Sequence, residues 1–149
     1  CARGELSIAG HTVYAEEVPN SGQGTGHVVW DGAVVLAKYL EHAVPICDTR
    51  VLEMGAGTGV VGLACAALGA SSVFITDLEY TLSNIERNIA RNAPFAPGRA
   101  TAFELDWLQA KCDPRLHSLE YVVAADVIWV PELVQPFVDT LRAVCAANQ

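Results

Sequence analysis

The sequence predicts one α/β domain built around a parallel, doubly wound sheet, and three observations support this. A length of 149 residues corresponds to a single domain. Apolar residues make up 52% of the chain and charged residues 17%, which is enough to bury a core and too apolar for disorder. Short apolar strands alternate with helical stripes, the order typical of right-handed strand–helix–strand crossovers in a parallel sheet.

The N-terminal part is predicted to be an arm or hairpin over residues 1–26, followed by the main domain over residues 27–149. Residues 5–18 alternate loosely between apolar and polar side chains around Ala9 and Gly10, which indicates a short hairpin. The stretch Asn20–Gly26 is rich in glycine and is expected to form a loop.

The first half of the main domain predicts two helices and two strands. A helix is expected after Asp31, whose carboxylate can cap its start, and Pro45 lies beyond its end. The next four elements are a strand, a glycine turn, a buried helix and a second strand, predicted at Val51–Met54, Gly55–Gly59, Val60–Leu68 and Val73–Thr76.

The second half continues the same alternation. A helical stripe ending near Asn92 is formed by Leu78, Leu82, Ile85 and Ile89. The third strand is predicted at Thr101–Leu105, and the fourth, at Tyr121–Ala125, is apolar enough to be buried on both faces. Pro131 is expected to open the last helix, with Pro136 marking either a kink or its true start.

The composition disfavours several classes of partner. Nine Lys and Arg against 17 Asp and Glu give a net charge of −8, so no nucleic-acid partner is expected. The longest apolar stretch, Val60–Ala70, is too short for a membrane helix, and the opening residues do not resemble a secretory leader. Five cysteines without a Cys-x-x-Cys pair and four histidines without ligand spacing predict a reduced, cytosolic-type protein with no metal site.

The segment Val51–Gly62 indicates a nucleotide-type cofactor, because glycines after a strand let the backbone approach a ligand closely. Asp77 ends the next strand, about 20 residues further on, where a ribose-binding carboxylate is expected. A dinucleotide fingerprint is also satisfied, by Gly57, Gly59 and Gly62. Glu53, however, would repel a diphosphate and suits the cationic amino-acid end of S-adenosylmethionine. A dinucleotide and a plain tight turn are the alternatives.

Four segments together resemble class I, seven-strand methyltransferases, and among them the family-16 protein-lysine methyltransferases. They are residues 28–41 (VVWDGAVVLAKYLE), 51–63 (VLEMGAGTGVVGL), 75–78 (ITDL) and 124–129 (AADVIW). The glycine motif alone indicates the superfamily, whereas the Val-Trp-Asp helix together with Ala-Asp-x-x-aromatic indicates the family. The likeness covers about residues 27–145 and is greatest to the group that methylates the valosin-containing AAA ATPase. It implies a Rossmann-like fold.

The resemblance implies which residues bind S-adenosylmethionine. Gly55, Ala56 and Gly57 would cradle its methionine part, and Asp77 would accept hydrogen bonds from the ribose hydroxyls. Trp107 would lie against the adenine. Core packing is the alternative for the tryptophans, and helix capping for Asp77. The other predicted cofactor contacts are Trp30, Glu53, Leu78 and Ala125.

Asp126 and Trp129 are the predicted catalytic residues, since they follow the carboxyl end of a parallel strand. The family pattern has Tyr or Phe at the fourth position, whereas this chain has Trp129, which keeps an aromatic wall for a lysine but lacks a phenol hydroxyl. The expected reaction is methyl transfer to a lysine of a non-histone protein. A small-molecule methyltransferase, a cofactor-binding module without turnover and a nicotinamide oxidoreductase are the alternatives.

The resemblance also sets expectations about what surrounds this domain. The family's sheet has seven strands and the chain supplies four, so the C-terminal strands are expected to be lacking. The implied partner is a protein substrate, with an ATPase or a chaperone suggested by resemblance alone. A monomer in the cytoplasm is expected, with the nucleus as an additional location.

Overall fold

A computed structural model describes residues 4–19, 24–109 and 113–148. The interpretation of Cys1, Cys112 and residues 20–23 lies outside the described residues. The fold is mixed α/β, as predicted, with an N-terminal hairpin of β1 (Glu5–Ile8) and β2 (His11–Tyr14). The main domain then runs through α1 (Asp31–Ala43), β3 (Arg50–Met54), α2 (Val60–Ala67), β4 (Ser72–Asp77), α3 (Glu79–Asn92), β5 (Ala100–Glu104), β6 (Tyr121–Val123), a 3₁₀ turn (Pro131–Leu133) and α4 (Val134–Ala146).

The described main sheet has four parallel strands in the order β5-β4-β3-β6. From β3 the chain steps outward through β4 to β5, and it then returns to place β6 on the other side of β3. The strand order therefore reverses between β3 and β6, and this is the position where open α/β sheets bind their ligands.

Alternation along the strands divides the core between the two faces of the sheet. Val51 in β3 and Ile75 in β4 point into a cluster shared with the hairpin, α1, α2 and α3. Leu52 and Met54 point to the opposite face, where Phe137 and Leu141 of α4 cover them. Both faces of the central strand are buried from Val51 to Met54, which explains why the strand is apolar apart from Arg50 at its half-buried start and Glu53.

The hairpin is part of the core and is attached by three asparagines of α3. Asn92 forms two hydrogen bonds with Tyr14, donating to its carbonyl at 2.7 Å and accepting from its N–H at 2.9 Å. Asn88 accepts from the N–H of Glu16 at 2.9 Å, and Asn84 donates to the Glu16 carbonyl at 3.0 Å. The asparagines are spaced four residues apart, so they lie on one helix face and pair with an extended backbone as a strand would.

Three details differ from the sequence-based expectation. Asp31 is the first helical residue of α1 and does not cap it, because Trp30 occupies the N-cap position, where its side chain makes no capping hydrogen bond. β6 ends at Val123, and its first two residues are only half-buried because the strand lies at the edge of the described sheet. Pro131 opens a 3₁₀ turn and α4 begins at Val134, so Pro136 lies in the first turn of α4 and does not mark its start.

Candidate functional site

The carboxyl ends of the four parallel strands surround a cavity of about 390 Å³. This cavity lies at the reversal in strand order between β3 and β6. Its lining includes all the residues predicted from the sequence as cofactor-binding or catalytic: Trp30, Glu53, Gly55, Ala56, Gly57, Asp77, Leu78, Trp107, Ala125, Asp126 and Trp129. The fold thus brings into one place residues that are far apart in the chain.

The glycine turn after β3 forms one side of the cavity. Gly55 and Gly57 have positive φ values of 66° and 58°, which glycine adopts at little cost. A Cβ on Gly55 would lie 2.7 Å from a methyl of Val127 and 3.1 Å from the indole of Trp107. A Cβ on Gly57 would lie 2.9 Å from the carbonyl oxygen of Gly26. The turn therefore presents bare backbone to the cavity at Gly55 and Gly57, where there is no room for a side chain.

Asp77 lies at the end of β4 and braces this turn. Its carboxylate accepts the N–H of Gly57 and the N–H of Leu78, each at 2.6 Å. Burial raises the pKa of Asp77, and the two N–H donors and the nearby His27 oppose that rise. The residue lines the cavity, and each carboxylate oxygen can accept a further hydrogen bond, for example from a hydroxyl group of a ligand.

Glu53 lies beneath the turn, at the base of the cavity. Its side chain accepts the N–H of Gly62 at 2.8 Å, in the first turn of α2, and the residue is 3% exposed. Burial raises the pKa of Glu53 to about 8, with a further increase from the charge of Asp77 and an opposing effect of the Gly62 and Val61 amides. One buried and one half-buried carboxyl at the same cavity favour a cationic ligand, because its charge would stabilise their ionised forms.

Two tryptophans form the walls of the cavity. Trp107 follows β5, and its ring meets Phe137 of α4 edge-to-face with the centroids 5.0 Å apart. Trp30 precedes α1, is 51% exposed, and donates its indole N–H to the Thr25 carbonyl at 3.3 Å. Each ring is held by a neighbour and leaves apolar surface toward the cavity, which suits a flat, uncharged ring.

The segment after β6 forms the open side of the cavity. Ala125 leaves space beside the glycine turn, and Asp126 has a φ of 55°, a left-handed conformation that Asp tolerates. A Cβ on Gly32 would lie 2.6 Å from an Asp126 carboxylate oxygen, so this carboxylate is seated at the start of α1. It forms no hydrogen bond with the residues that the structure describes. Trp129 is 66% exposed at the rim.

A shallower groove continues outward from the cavity and shares part of its lining. The shared residues are Thr25, Val29, Trp30, Asp126 and Trp129, and Asp31, Gly32 and Ile128 extend the groove over the surface. Aromatic and acidic side chains on a surface path to the cavity suit a long, positively charged side chain.

Part of the cavity lining was not predicted from the sequence. Gly24, Thr25 and Gly26 line it, although this glycine-rich stretch was predicted only as a loop. Tyr80 of α3 also lines it, and no motif in the sequence pointed to this residue. The glycine content was the one available signal, since three glycines within five residues allow a close approach of two backbones.

Other features of the described residues concern metals, thiols and membranes. Within them, no group of three or more His, Cys, Asp or Glu side chains could hold a metal ion. The three cysteines in this part of the chain, Cys47, Cys65 and Cys145, are free thiols, and burial raises the pKa of Cys65. No helix within these ranges combines the length and hydropathy required to cross a membrane.

Comparison with known proteins places the chain among methyltransferases. A protein-family model described as lysine methyltransferase matches residues 12–149. The mouse protein N-lysine methyltransferase METTL21A is 37% identical over 148 residues, which is 96% of this chain and 66% of that protein. The mouse EEF1A lysine methyltransferase 3 is 35% identical over 95% of this chain and 60% of its own length. The chain spans about half to two thirds of the length of the curated relatives it matches.

Solved structures agree on the fold. The magnesium protoporphyrin IX methyltransferase from Synechocystis, determined with S-adenosylhomocysteine bound, superimposes with a TM-score of 0.57 at 15% identity. The superposition covers 78% of this chain and 50% of that one. The architecture is therefore the Rossmann-like class I methyltransferase fold, as the sequence predicted.

Proposed function

Because the chain belongs to the lysine methyltransferase family, we propose that it uses S-adenosylmethionine to methylate a lysine side chain of a non-histone protein. The observation that carries this proposal is the convergence of the predicted residues on one cavity at the strand-order reversal. The names of the relatives support the reaction class, and the carboxyls of Glu53 and Asp77 at the cavity support a cofactor with a cationic end.

The residues around the cavity fit this cofactor. The bare backbone of Gly55 and Gly57, which both line the cavity, would hold its methionine part. Asp77 would receive the ribose hydroxyls, and the faces of Trp107 and Trp30 would border the adenine and the methionine part. A cationic group at the cavity would favour ionisation of Glu53, whose pKa burial raises to about 8, and the ionised carboxylate would complement that positive charge and repel the diphosphate of a dinucleotide.

The chain's own residues would orient and desolvate the amine. When bound, S-adenosylmethionine supplies a sulfonium methyl group that a neutral amine accepts. The carboxylate of Asp126 would orient the lysine nitrogen, and Trp129 and Trp30 would line its approach and exclude water. Removal of water beside aromatic rings lowers the pKa of a lysine and so favours its neutral form. This scheme needs alignment of the reactants rather than a dedicated general base.

Trp129 is the position at which this site departs from the family pattern. The family pattern noted above has Tyr or Phe there, and an indole supplies a larger aromatic surface without a phenol hydroxyl. Because the ring is 66% exposed at the rim, we propose that it affects the choice of substrate segment more than the reaction class. By resemblance alone, we further propose that the substrate is an ATPase or a chaperone. On the same basis we propose that the protein is a monomer located in the cytoplasm or the nucleus.

Calorimetric titration with S-adenosylhomocysteine, with NAD as the control ligand, tests the cofactor assignment. Binding of the first alone supports it, and binding of NAD in preference would replace it with an oxidoreductase function. No binding by a folded chain would refute the cofactor site.

A second experiment tests the reaction class. The chain is incubated with a labelled methyl donor and either a cell lysate or a metabolite extract. Label in protein that is lost in Asp126→Asn, a variant expected to retain S-adenosylhomocysteine binding, supports the proposal. Label only in metabolites supports a small-molecule methyltransferase. Cofactor binding without transfer to either indicates a binding module.

A further inference from the structure

Residues Gly24–His27 pass through a narrow gap between the ring of Tyr80 and the glycine turn. On one side, the carbonyl oxygen of Gly26 would lie 2.9 Å from a Cβ on Gly57. On the other side, a Cβ on Gly24 would lie 2.7 Å from Cζ of Tyr80, and a Cβ on Gly26 would lie 2.9 Å from its hydroxyl. The gap has room for the backbone of this segment but not for side chains at Gly24 or Gly26. Tyr80 and the glycine turn together therefore determine the path of the segment.

Tyr80 also contacts the segment through polar and aromatic groups. Its hydroxyl accepts the N–H of Gly26 at 3.2 Å. The His27 ring, which belongs to a buried residue, meets the Tyr80 ring edge-on with the centroids 5.4 Å apart. His27 Nε2 lies 3.4 Å from the Tyr80 backbone carbonyl oxygen. These contacts hold both the backbone of the segment and its buried end.

Residues Gly24–His27 in turn contact Trp30, which forms a wall of the cavity. The Thr25 carbonyl accepts the indole N–H of Trp30 at 3.3 Å, and Thr25, Gly26 and Trp30 all line the cavity. Tyr80 follows Asp77 by three residues, at the start of α3. The position of Trp30 in the cavity wall is therefore linked, through Gly24–His27 and Tyr80, to the end of β4 that carries Asp77.

We infer that Tyr80 is a positioning residue, which fixes Gly24–His27 against the glycine turn and thereby places Trp30 at the wall of the cofactor cavity. The identity of the ligand rests on the proposed function, whereas the placement of Trp30 does not. Tyr80 acts through the segment and through Trp30. Its removal should therefore alter the surroundings of that indole even without a ligand.

Two substitutions at Tyr80 and one matched control test this inference. Tyr80→Phe removes the hydroxyl and keeps the ring, and Tyr80→Leu removes both. Tyr39→Phe is the control, since Tyr39 is an exposed tyrosine of α1 that does not line the cavity. The indole N–H resonance of Trp30, assigned with Trp30→Phe, is recorded in the ¹⁵N-labelled chain without ligand. Each protein is then titrated with S-adenosylhomocysteine.

The expected result is a shifted Trp30 resonance in Tyr80→Phe and a weaker affinity by about three- to tenfold, the range of one hydrogen bond. Tyr80→Leu should lose more, and Tyr39→Phe should match the parent chain in both measurements. An unchanged Trp30 resonance in Tyr80→Phe would overturn the inference, and so would unchanged affinity in a chain that binds. If the parent chain binds no S-adenosylhomocysteine, the proposed function fails, and the resonance alone still decides the role of Tyr80.

Discussion

Replacement of Glu53 by Gln should make the free energy of unfolding less dependent on pH. The carboxyl is buried beneath the glycine turn and accepts the N–H of Gly62 at 2.8 Å. Gln has nearly the same volume and keeps an acceptor oxygen for that N–H, but it cannot ionise. The substitution therefore removes the proton equilibrium and retains the packing and the hydrogen bond.

The expected size of the pH effect on the free energy of unfolding follows from the pKa of Glu53, which burial raises from 4.5 to about 8. Over this interval the native chain keeps a proton that the unfolded chain has released. The contribution of Glu53 to stability is therefore full below pH 4.5 and falls as the pH rises, by about 1.4 kcal/mol per pH unit, until it levels off above pH 8. The whole loss is about 5 kcal/mol.

Urea unfolding of the parent chain and of Glu53→Gln between about pH 5 and pH 8 measures this difference. The stability of the variant relative to the parent should rise with pH at the slope of one proton. Asp77, whose pKa burial also raises, remains in both proteins, and its coupling to Glu53 forms part of the measured difference between them. Glu104→Gln, at an exposed position of β5, is the matched control and should leave the slope unchanged. Parallel curves for the parent and Glu53→Gln would refute the reasoning.

Three further substitutions test how the cavity is built. Asp77→Asn places an amide NH₂ group against the N–H of Gly57 or of Leu78, and calorimetry should find S-adenosylhomocysteine binding weakened by about tenfold or more. Gly57→Ala forces a side chain to a φ of 58° and against the Gly26 carbonyl, and urea unfolding should register a loss of about 1–3 kcal/mol. Asn88→Ala leaves the Glu16 N–H and the Thr58 carbonyl without their partner, and the same assay should find a loss of about 2–4 kcal/mol.

Each of these predictions has a matched control. Glu104→Gln should bind S-adenosylhomocysteine as the parent does, and normal binding by Asp77→Asn would contradict a role for its carboxylate. Gly98 has a φ of 68° with no atom within 4 Å of its Cβ position, so Gly98→Ala measures the backbone cost alone. Equal losses in Gly57→Ala and Gly98→Ala would contradict the crowding against Gly26. Glu86→Ala, at an exposed position of α3, should be neutral, and an equally neutral Asn88→Ala would contradict the attachment of the hairpin.

Local sequence was sufficient to predict the part of the site that lies within one strand–turn–helix–strand unit. The glycine turn, Glu53 and Asp77 fall within about one such unit, where the order of residue types fixes the order in space. The tryptophans and Asp126 were found through resemblance, because a single aromatic or acidic residue far along the chain carries no pattern of its own. They line the same cavity as the glycine turn, while their roles there stay predictions.

Residues whose position depends on contacts between distant segments were not found. Tyr80 lies on a helix that the sequence predicted well, but only packing determines that the Gly24–His27 segment crosses its ring. The asparagines of α3 likewise resemble polar surface residues in the sequence, and they are buried because the hairpin backbone lies over them.

The sequence by itself determined the alternation of strands and helices, the glycine turn and the charge chemistry beside it, because hydrophobic periodicity and turn residues act over short distances. Tertiary structure alone decided that β6 lies next to β3 at the sheet edge, which half-exposes its first residues and brings Asp126 to the start of α1. It also decided the raised pKa of Glu53, since desolvation depends on every element packed around a group and not on its neighbours in the chain.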